Sequence, residues 1–232
     1  MNVLIVHAHP EPQSFTSSLY ADAVEYFSQL GHKVETSDLY AMNFNPVASS
    51  DDFKQRTNPD YLVYALEQRN AAKYQQLSSD IANEVDKVLR CDLLILTFPI
   101  YWFSMPAILK GWIDRVFISG TFYGGRRIFG DGGMVGKKAL VCATLGGREG
   151  MFGQRGIHGD LQTLLRPLLK GSLGYVGFDV LAPFVGFHIP YLSTDERKLI
   201  QLKWREALAT LSERKQLLMP NLSDYDENFS LR

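Results

Sequence analysis

The loop around residue 102 has the composition best suited to binding a ligand. Phe98–Pro106 reads FPIYWFSMP, with Tyr101, Trp102 and Phe103 in succession between two prolines. Three adjacent aromatic side chains are hard to place inside one core, and the prolines stiffen the backbone. Such a loop suits a planar ligand with apolar faces and polar edges. The alternative is an aromatic plug that closes the end of a sheet.

A second segment, 7–18, is rich in hydroxyl groups and leads into a predicted helix. Its hydroxyls are those of Ser14, Thr16, Ser17 and Ser18. The segment has neither the Gly-x-Gly-x-x-Gly of a dinucleotide fold nor the Gly-Lys-Ser/Thr of a P-loop. Free backbone N–H groups and the helix dipole favour a phosphate at such a helix start. Simple N-capping by one serine explains the pattern equally well.

The third unusual segment follows Thr144 and is rich in glycine. Its glycines are Gly146, Gly147, Gly150, Gly153, Gly156 and Gly159. Such a density of glycine permits close backbone approach to a ligand, although a merely flexible loop has the same composition. His158 lies in this segment, where it either donates a hydrogen bond to a developing anion or has no chemical role.

Each of these loops follows an apolar run typical of a strand buried on both faces: Val3–Val6, Cys91–Phe98 and Lys138–Ala143. Further strands are predicted at 33–39, near an edge, and at 179–185. Helices are predicted at 19–30 and 79–90, after Pro106 through Val116, near 161–173 and after a capping box formed by Ser193 and Glu196. Strands that alternate with helices predict parallel βαβ units. We therefore predict an α/β, flavodoxin-like, doubly wound five-stranded parallel sheet of order 2-1-3-4-5, with helices on both faces and ligands at the carboxyl ends of its strands.

Composition narrows the class of protein. The 232 residues are 46% hydrophobic and 21% charged, with a formal net charge of -1, so no bias toward nucleic acid is present. We predict one domain over 1–215 and a C-terminal tail over 216–232. The first residues lack the features of a signal peptide, and no segment is apolar enough to span a membrane, which predicts a cytoplasmic protein. Cys91 and Cys142 are predicted to be reduced core thiols.

Taken together, the sequence resembles the FAD-dependent quinone reductases of the DT-diaphorase type. The similarity runs from the N-terminus to about Leu211 and is carried by these stretches: Val3–His9 with Glu11-Pro12 and Ser14-Phe15, Asp38–Phe44, Phe98–Val116, Gly146-Gly147 and Gly156–Asp160. The resemblance implies a homodimer that binds FAD at two sites in the subunit interface. It further implies ping-pong transfer of hydride from NAD(P)H to a quinone, with the redox chemistry supplied by the flavin.

The resemblance also assigns cofactor-binding residues. Those that match the family's diphosphate site are His9, Ser14, Phe15, Thr16 and Ser18. Those that match the lining of the isoalloxazine are Pro99, Ile100, Tyr101, Trp102 and Phe103. Those that match its pyrimidine side are Thr144, Gly146 and Gly147. The implied substrate pocket consists of Trp102, Phe103, Tyr123, Phe152 and Tyr175, with the two tyrosines supplied by the partner subunit.

The sequence departs from the family pattern at two places. His158 matches a catalytic histidine, but Phe152 stands where its tyrosine partner would be. Phenylalanine donates no hydrogen bond, so His158 alone or backbone N–H groups would have to stabilise charge on the flavin. Some relatives bind a metal late in the chain, where this sequence has Lys170 and Gly174. We therefore predict no metal site.

Two other functions fit parts of the sequence. A related branch of flavoproteins regulates glutathione-gated potassium-efflux transporters, and this chain resembles that branch too. An FMN-only electron carrier fits the fold but neither the aromatic loop nor the length. The choice between NADH and NADPH and the physiological electron acceptor are open.

Overall fold

The computed structural model describes all 232 residues and contains a parallel sheet between two layers of helices. The strands are β1 Asn2–His7, β2 Lys33–Asp38, β3 Leu93–Pro99, β4 Lys138–Thr144, β5 Asp179–Val180 and β6 Phe184–Gly186. The order is β2-β1-β3-β4, followed by β5 and β6, both of which pair with β4. All of these pairs are parallel. The predicted fold class is confirmed, with the fifth strand present in two pieces.

The break between β5 and β6 has a local cause. Pro183 lies in the break and has no N–H group to donate to a neighbouring strand. The guanidinium of Arg214 donates instead to the carbonyls of Ala182 and Pro183, and the N–H of Ala182 donates to the carbonyl of Lys215 at 2.7 Å. The backbone polar groups of the break are therefore satisfied by the C-terminal segment.

The helices are α1 Phe15–Gln29, α2 Tyr64–Tyr74, α3 Ser79–Arg90, α4 Ala107–Val116, α5 Leu161–Leu164, α6 Arg166–Leu168 and α7 Thr194–Ala209. Helix α6 continues into a π-helix at Leu169–Gly174, so the predicted helix at 161–173 is broken. Helix α1 begins four residues before the predicted start. The capping box at Ser193 and Glu196 is confirmed, with both of its hydrogen bonds formed.

Helix α2 was not predicted, because the side chains that it buries are polar. Glu67 and Gln68 are its most buried long side chains. Glu67 accepts hydrogen bonds from the backbone N–H groups of Thr57 and Asn58, and Gln68 donates to the carbonyl of Asp114 at 3.0 Å. Hydrophobic periodicity therefore gives no signal for this helix.

The sheet is buried on both faces, which explains its continuous apolar runs. Along β1, Val3 and Ile5 pack against the layer of α1 and α7, while Leu4 and Val6 face the layer of α3 and α4. Cys91 and Cys142 belong to different layers and are both free thiols, as predicted. Burial raises the pKa of Cys91 to about 12.

The C-terminal segment returns along the far edge of the sheet. Leu217 donates its N–H to the carbonyl of Val180 at 2.8 Å, and Gln216 pairs antiparallel with Leu181. Met219 packs over Gly174, where a Cβ would lie 2.4 Å from the methionine sulfur. The division into a domain at 1–215 and a tail at 216–232 stays a prediction. None of the helices is both long and apolar enough to cross a membrane.

Candidate active site

A cleft of about 370 Å³ lies at the carboxyl ends of β1, β3 and β4, a volume typical of small-molecule sites. The structure brings nine of the thirteen predicted cofactor-binding residues into its lining: His9, Ser14, Phe15, Thr16, Pro99, Ile100, Tyr101, Thr144 and Gly146. The remaining lining residues, Gln13, Leu145, Ile189, Pro190 and Arg197, were not predicted.

The start of α1 forms one wall of the cleft. Ser14 is the N-cap, and its hydroxyl accepts the N–H of Ser17 at 3.0 Å. The next two residues, Phe15 and Thr16, also line the cleft, and their N–H groups donate to no protein atom. Serine capping and anion binding are therefore compatible here, because the cap uses one donor and leaves two free for a ligand.

His9 adds a neutral donor beside these amides. Its Nδ1 accepts the N–H of Glu11 at 2.9 Å. Partial burial lowers the pKa of His9 below its usual range, so the ring is neutral at pH 7 and carries its proton on Nε2. That N–H is a hydrogen-bond donor at the cleft wall.

His7, to which the sequence assigned no role, fixes the start of α1 against the sheet. Its Nδ1 lies 2.8 Å from the hydroxyl of Thr97 and its Nε2 lies 3.0 Å from the hydroxyl of Ser17. The ring stacks on Tyr20 with centroids 4.5 Å apart. Burial lowers the pKa of His7 to about 4, so a neutral imidazole joins β1, β3 and α1.

The strand ends are tied together by Thr144. Its hydroxyl lies 2.6 Å from that of Thr16 on α1, and its carbonyl accepts the N–H of Ile100 at 2.8 Å. Thr144 is buried, so these contacts hold the three loops that follow β1, β3 and β4 in one arrangement.

The aromatic loop is a strained two-residue turn. Tyr101 and Ser104 exchange both backbone hydrogen bonds, at 2.9 and 3.0 Å. The residues between them, Trp102 and Phe103, have left-handed backbones with φ of 48° and 60°. Bulky residues rarely adopt this conformation, which costs on the order of 1–3 kcal/mol for each residue. Trp102 is nevertheless 95% exposed, so packing within the chain does not explain the strain at this residue.

The glycine-rich loop brings His158 to this turn. The His158 ring lies 5.0 Å from the ring of Phe103 and 5.3 Å from that of Phe152. The backbone N–H of His158 donates to the carbonyl of Met151 at 2.9 Å. The departure from the family pattern is therefore visible in the structure, because the apolar ring of Phe152 lies beside the histidine. Gly156 is required here, since a Cβ would lie 2.4 Å from the carbonyl carbon of Met151.

Arg197 on α7 is the one charged side chain among the lining residues that were not predicted. Its Nε is buried and has no hydrogen-bond partner, although the residue lines the cleft together with Phe15 and Thr16. An unpaired buried guanidinium N–H is costly unless a ligand accepts it. Arginine is well suited to bind a phosphate.

The other predicted residues lie outside the lining. Trp102, Phe103 and Gly147 follow the lining residues Tyr101 and Gly146 in the chain but do not line the cleft themselves. The hydroxyl of Ser18 donates to the carbonyl of Phe15 at 2.8 Å. Tyr123 and Tyr175 contact each other, with ring centroids 5.6 Å apart, and do not line the cleft of their own chain.

No group of three or more His, Cys, Asp or Glu side chains is placed to hold a metal ion.

These residues fit a ligand that carries phosphate at one end and a flat ring at the other. Two free amides, the Nε2–H of His9 and the orphaned Nε of Arg197 meet at the α1 end. The strained aromatic turn and the glycine-rich loop form the other end. A phosphorylated flavin has this combination of groups.

Comparisons with known proteins agree with that chemistry. The flavodoxin-like fold family matches residues 1–209. The chain is 44% identical to the ribosyldihydronicotinamide dehydrogenase (quinone) of Mus musculus, over 90% of this chain and 91% of that protein. It is 39% identical to NAD(P)H dehydrogenase (quinone) 1 of Cavia porcellus, over 97% and 82%. A solved structure from Klebsiella pneumoniae, described as a "Putative quinone reductase", has a TM-score of 0.95 at 34% identity and covers 100% of this chain and 94% of that one.

Proposed function

The chain belongs to the flavodoxin-like family that contains these quinone reductases, and from that membership we propose that it is a flavin-dependent NAD(P)H dehydrogenase that reduces quinones. The observation that carries the proposal is the cleft at the ends of β1, β3 and β4. There a strained, exposed aromatic turn faces free backbone donors and an unpaired arginine.

We infer that the flavin is FAD. The two free amides at the start of α1 and the guanidinium of Arg197 supply donors for more than one phosphate group. The relatives at 39% and 44% identity are named as quinone dehydrogenases that use dihydronicotinamide donors. A diphosphate that lies between α1 and α7 would satisfy all of these donors at once.

The bound flavin would supply the redox chemistry, accepting hydride from NAD(P)H and passing it to a quinone in a ping-pong sequence. The residues of the chain bind and orient it. His9, Ser14, Phe15 and Thr16 would hold the diphosphate, and Pro99–Phe103 would line the ring. Thr144, Gly146 and Gly147 would face the pyrimidine side of the ring.

We propose that His158 is the only side chain of the Phe103–Phe152–His158 cluster that can donate a hydrogen bond toward charge on the flavin or the quinone. The two phenylalanines pack against the ring of His158, which is half-buried. Phe152 also packs on Gly147, where a Cβ would lie 3.2 Å from its ring. Its aromatic face would therefore form part of the quinone pocket.

A homodimer is part of the proposal. Trp102 is exposed within one chain, and Tyr123 and Tyr175 lie away from the cleft of their own chain. Both facts suit a site completed by a partner subunit. A cytoplasmic location and the alternative role as a regulator of a potassium-efflux transporter stay predictions from the sequence.

The decisive experiment begins with purified protein freed of cofactor. FAD, FMN and riboflavin are titrated by flavin fluorescence, and quinone reduction is measured with NADH, NADPH and a dihydronicotinamide riboside as rival donors. We expect FAD to bind tightest, and initial rates at several fixed quinone concentrations to give parallel double-reciprocal plots. Failure to bind any flavin would overturn the proposal. Tighter binding of FMN than FAD would overturn the choice of cofactor alone.

The role of His158 is tested in the same preparation. His158→Ala should slow flavin reduction in stopped-flow measurements by about 100–1,000-fold, the usual range for loss of one transition-state donor. His158→Gln, which keeps a donor, should recover part of that loss. An unchanged rate in His158→Ala would remove His158 from the mechanism.

A further inference from the structure

We propose that His188 is a positioning residue that binds the carbonyls of Gly146 and Gly147 and thereby leaves the N–H groups of both glycines free for the edge of the flavin ring. The inference rests on the proposed function, because it concerns how the same cleft presents its donors. His188 itself does not line the cleft, so its effect is exerted through the glycine-rich loop.

Two hydrogen bonds join His188 to consecutive carbonyls. Its backbone N–H donates to the carbonyl of Gly147 at 2.9 Å, and its ring Nδ1 lies 3.0 Å from the carbonyl of Gly146. Because a carbonyl only accepts, Nδ1 carries the proton. The ring also packs on Tyr191, with centroids 4.7 Å apart, which fixes its orientation.

The backbone of His188 takes an unusual conformation to make these contacts. Its φ is 60° and its ψ is 22°, in the left-handed region. The chain is held on both sides, since Leu145 donates to Gly186 at 2.9 Å and Ile189 donates to Leu145 at 3.1 Å. A left-handed non-glycine residue costs roughly 1–2 kcal/mol, which glycine would avoid. The side chain therefore has a role that glycine cannot fill.

The second observation that supports the inference concerns the backbone donors of the glycine-rich loop. The N–H groups of Gly146 and Gly147 donate to no protein atom, although both carbonyls of the pair are bound by His188. Gly146 lines the cleft beside Thr144. With the carbonyls held on the side of His188, the loop can present its donors to a ligand edge that carries carbonyl oxygens or negative charge. Such fixed N–H groups are effective because they need no reorganisation.

Two variants separate the side chain from the backbone. His188→Gly keeps the left-handed conformation without strain and removes the ring N–H. His188→Asn tolerates the same conformation and keeps a short side-chain donor. The stability of flavin-free protein in urea should be equal or higher in His188→Gly, whereas a purely structural histidine would leave that variant less stable.

The measured quantities are the dissociation constants of FAD and riboflavin and the two-electron midpoint potential of bound FAD. We expect His188→Gly to weaken FAD and riboflavin by a similar factor, about tenfold, because the ring end is affected. The potential should shift to more negative values. His188→Asn should recover most of both changes. As a control, Arg197→Gln should weaken FAD while riboflavin binding is unchanged.

The outcomes are distinguishable. If His188→Gly binds FAD and riboflavin like wild type, or if it weakens FAD alone, the inference is overturned and the proposed function is untouched. If wild type binds flavin but reduces no quinone, the proposed function fails, and the affinities still decide the role of His188. If wild type binds no flavin, both are overturned.

Discussion

Replacement of Trp102 by asparagine should make the flavin-free protein more stable while it weakens the flavin complex. Trp102 has a φ of 48°, and a left-handed backbone costs an ordinary L-residue roughly 1–2 kcal/mol. Asparagine adopts this conformation several-fold more readily. The side chain of Trp102 is 95% exposed, so its removal forfeits almost no buried area. We expect a gain of about 1 kcal/mol in the free energy of unfolding.

The assay is urea unfolding of flavin-free protein followed by circular dichroism, with a thermal scan beside it. For a chain of this length, 1 kcal/mol corresponds to about 2–4 °C in Tm. Cofactor must be absent, because binding to the folded state would add its own stabilisation. The flavin-loaded variant should lose part of that added stabilisation, since the planar contact is gone.

A matched control is Tyr61→Asn. Tyr61 is also an exposed aromatic residue, at 70%, but it is not among the residues with positive φ. The control should change stability by less than about 0.5 kcal/mol. A strained backbone at Trp102 is excluded if Trp102→Asn is no more stable than wild type, or if Tyr61→Asn gains as much.

Three further outcomes follow from the contacts of the cleft. Burial holds the pKa of His7 in the folded chain at about 4, below its ordinary 6.5. As the pH drops, the unfolded chain therefore binds the proton before the folded chain does. The free energy of unfolding should thus fall between pH 6.5 and pH 4. Urea unfolding should register a loss of up to about 3 kcal/mol in wild type that His7→Asn does not suffer. Arg197→Gln should weaken FAD about tenfold or more without changing stability in the absence of flavin, because the Nε that it removes has no protein partner. Gly156→Ala should lower quinone turnover more than FAD affinity, because its Cβ would displace the backbone at Met151 and with it His158.

The sheet and its order could be predicted because the sheet is covered on both faces. Burial on both sides forces continuous apolar runs such as Val3–Val6, and these have few other interpretations. The resemblance to quinone reductases is confirmed by the family match and by relatives at 39–44% identity. Helix α2 could not be predicted, because it buries Glu67 and Gln68. The partners of these side chains are backbone groups, which no pattern of hydropathy reveals.

Only part of the site could be recognised in the same way. The loops after β1, β3 and β4 were found because topology fixes where strand ends meet. Arg197 lies far along the chain from α1, and the packing of α7 on α1 brings it to the cleft, through contacts such as Trp204 Nε1 to the carbonyl of Leu19 at 2.9 Å. The left-handed backbone of Trp102 belongs to a residue type that rarely adopts it, so nothing in its identity indicated the conformation.

The break in the fifth strand bears on how copies of this chain can associate. An uninterrupted outer strand would offer a row of unpaired N–H and C=O groups on which another molecule could add a strand. Here Arg214, Lys215 and Leu217 pair with backbone groups of Val180, Ala182 and Pro183, while the opposite border, β2, carries Lys33, Glu35 and Asp38. Strand addition is thus disfavoured at β2 and along Val180–Pro183, which favours helices and loops as the surfaces through which two chains can pair.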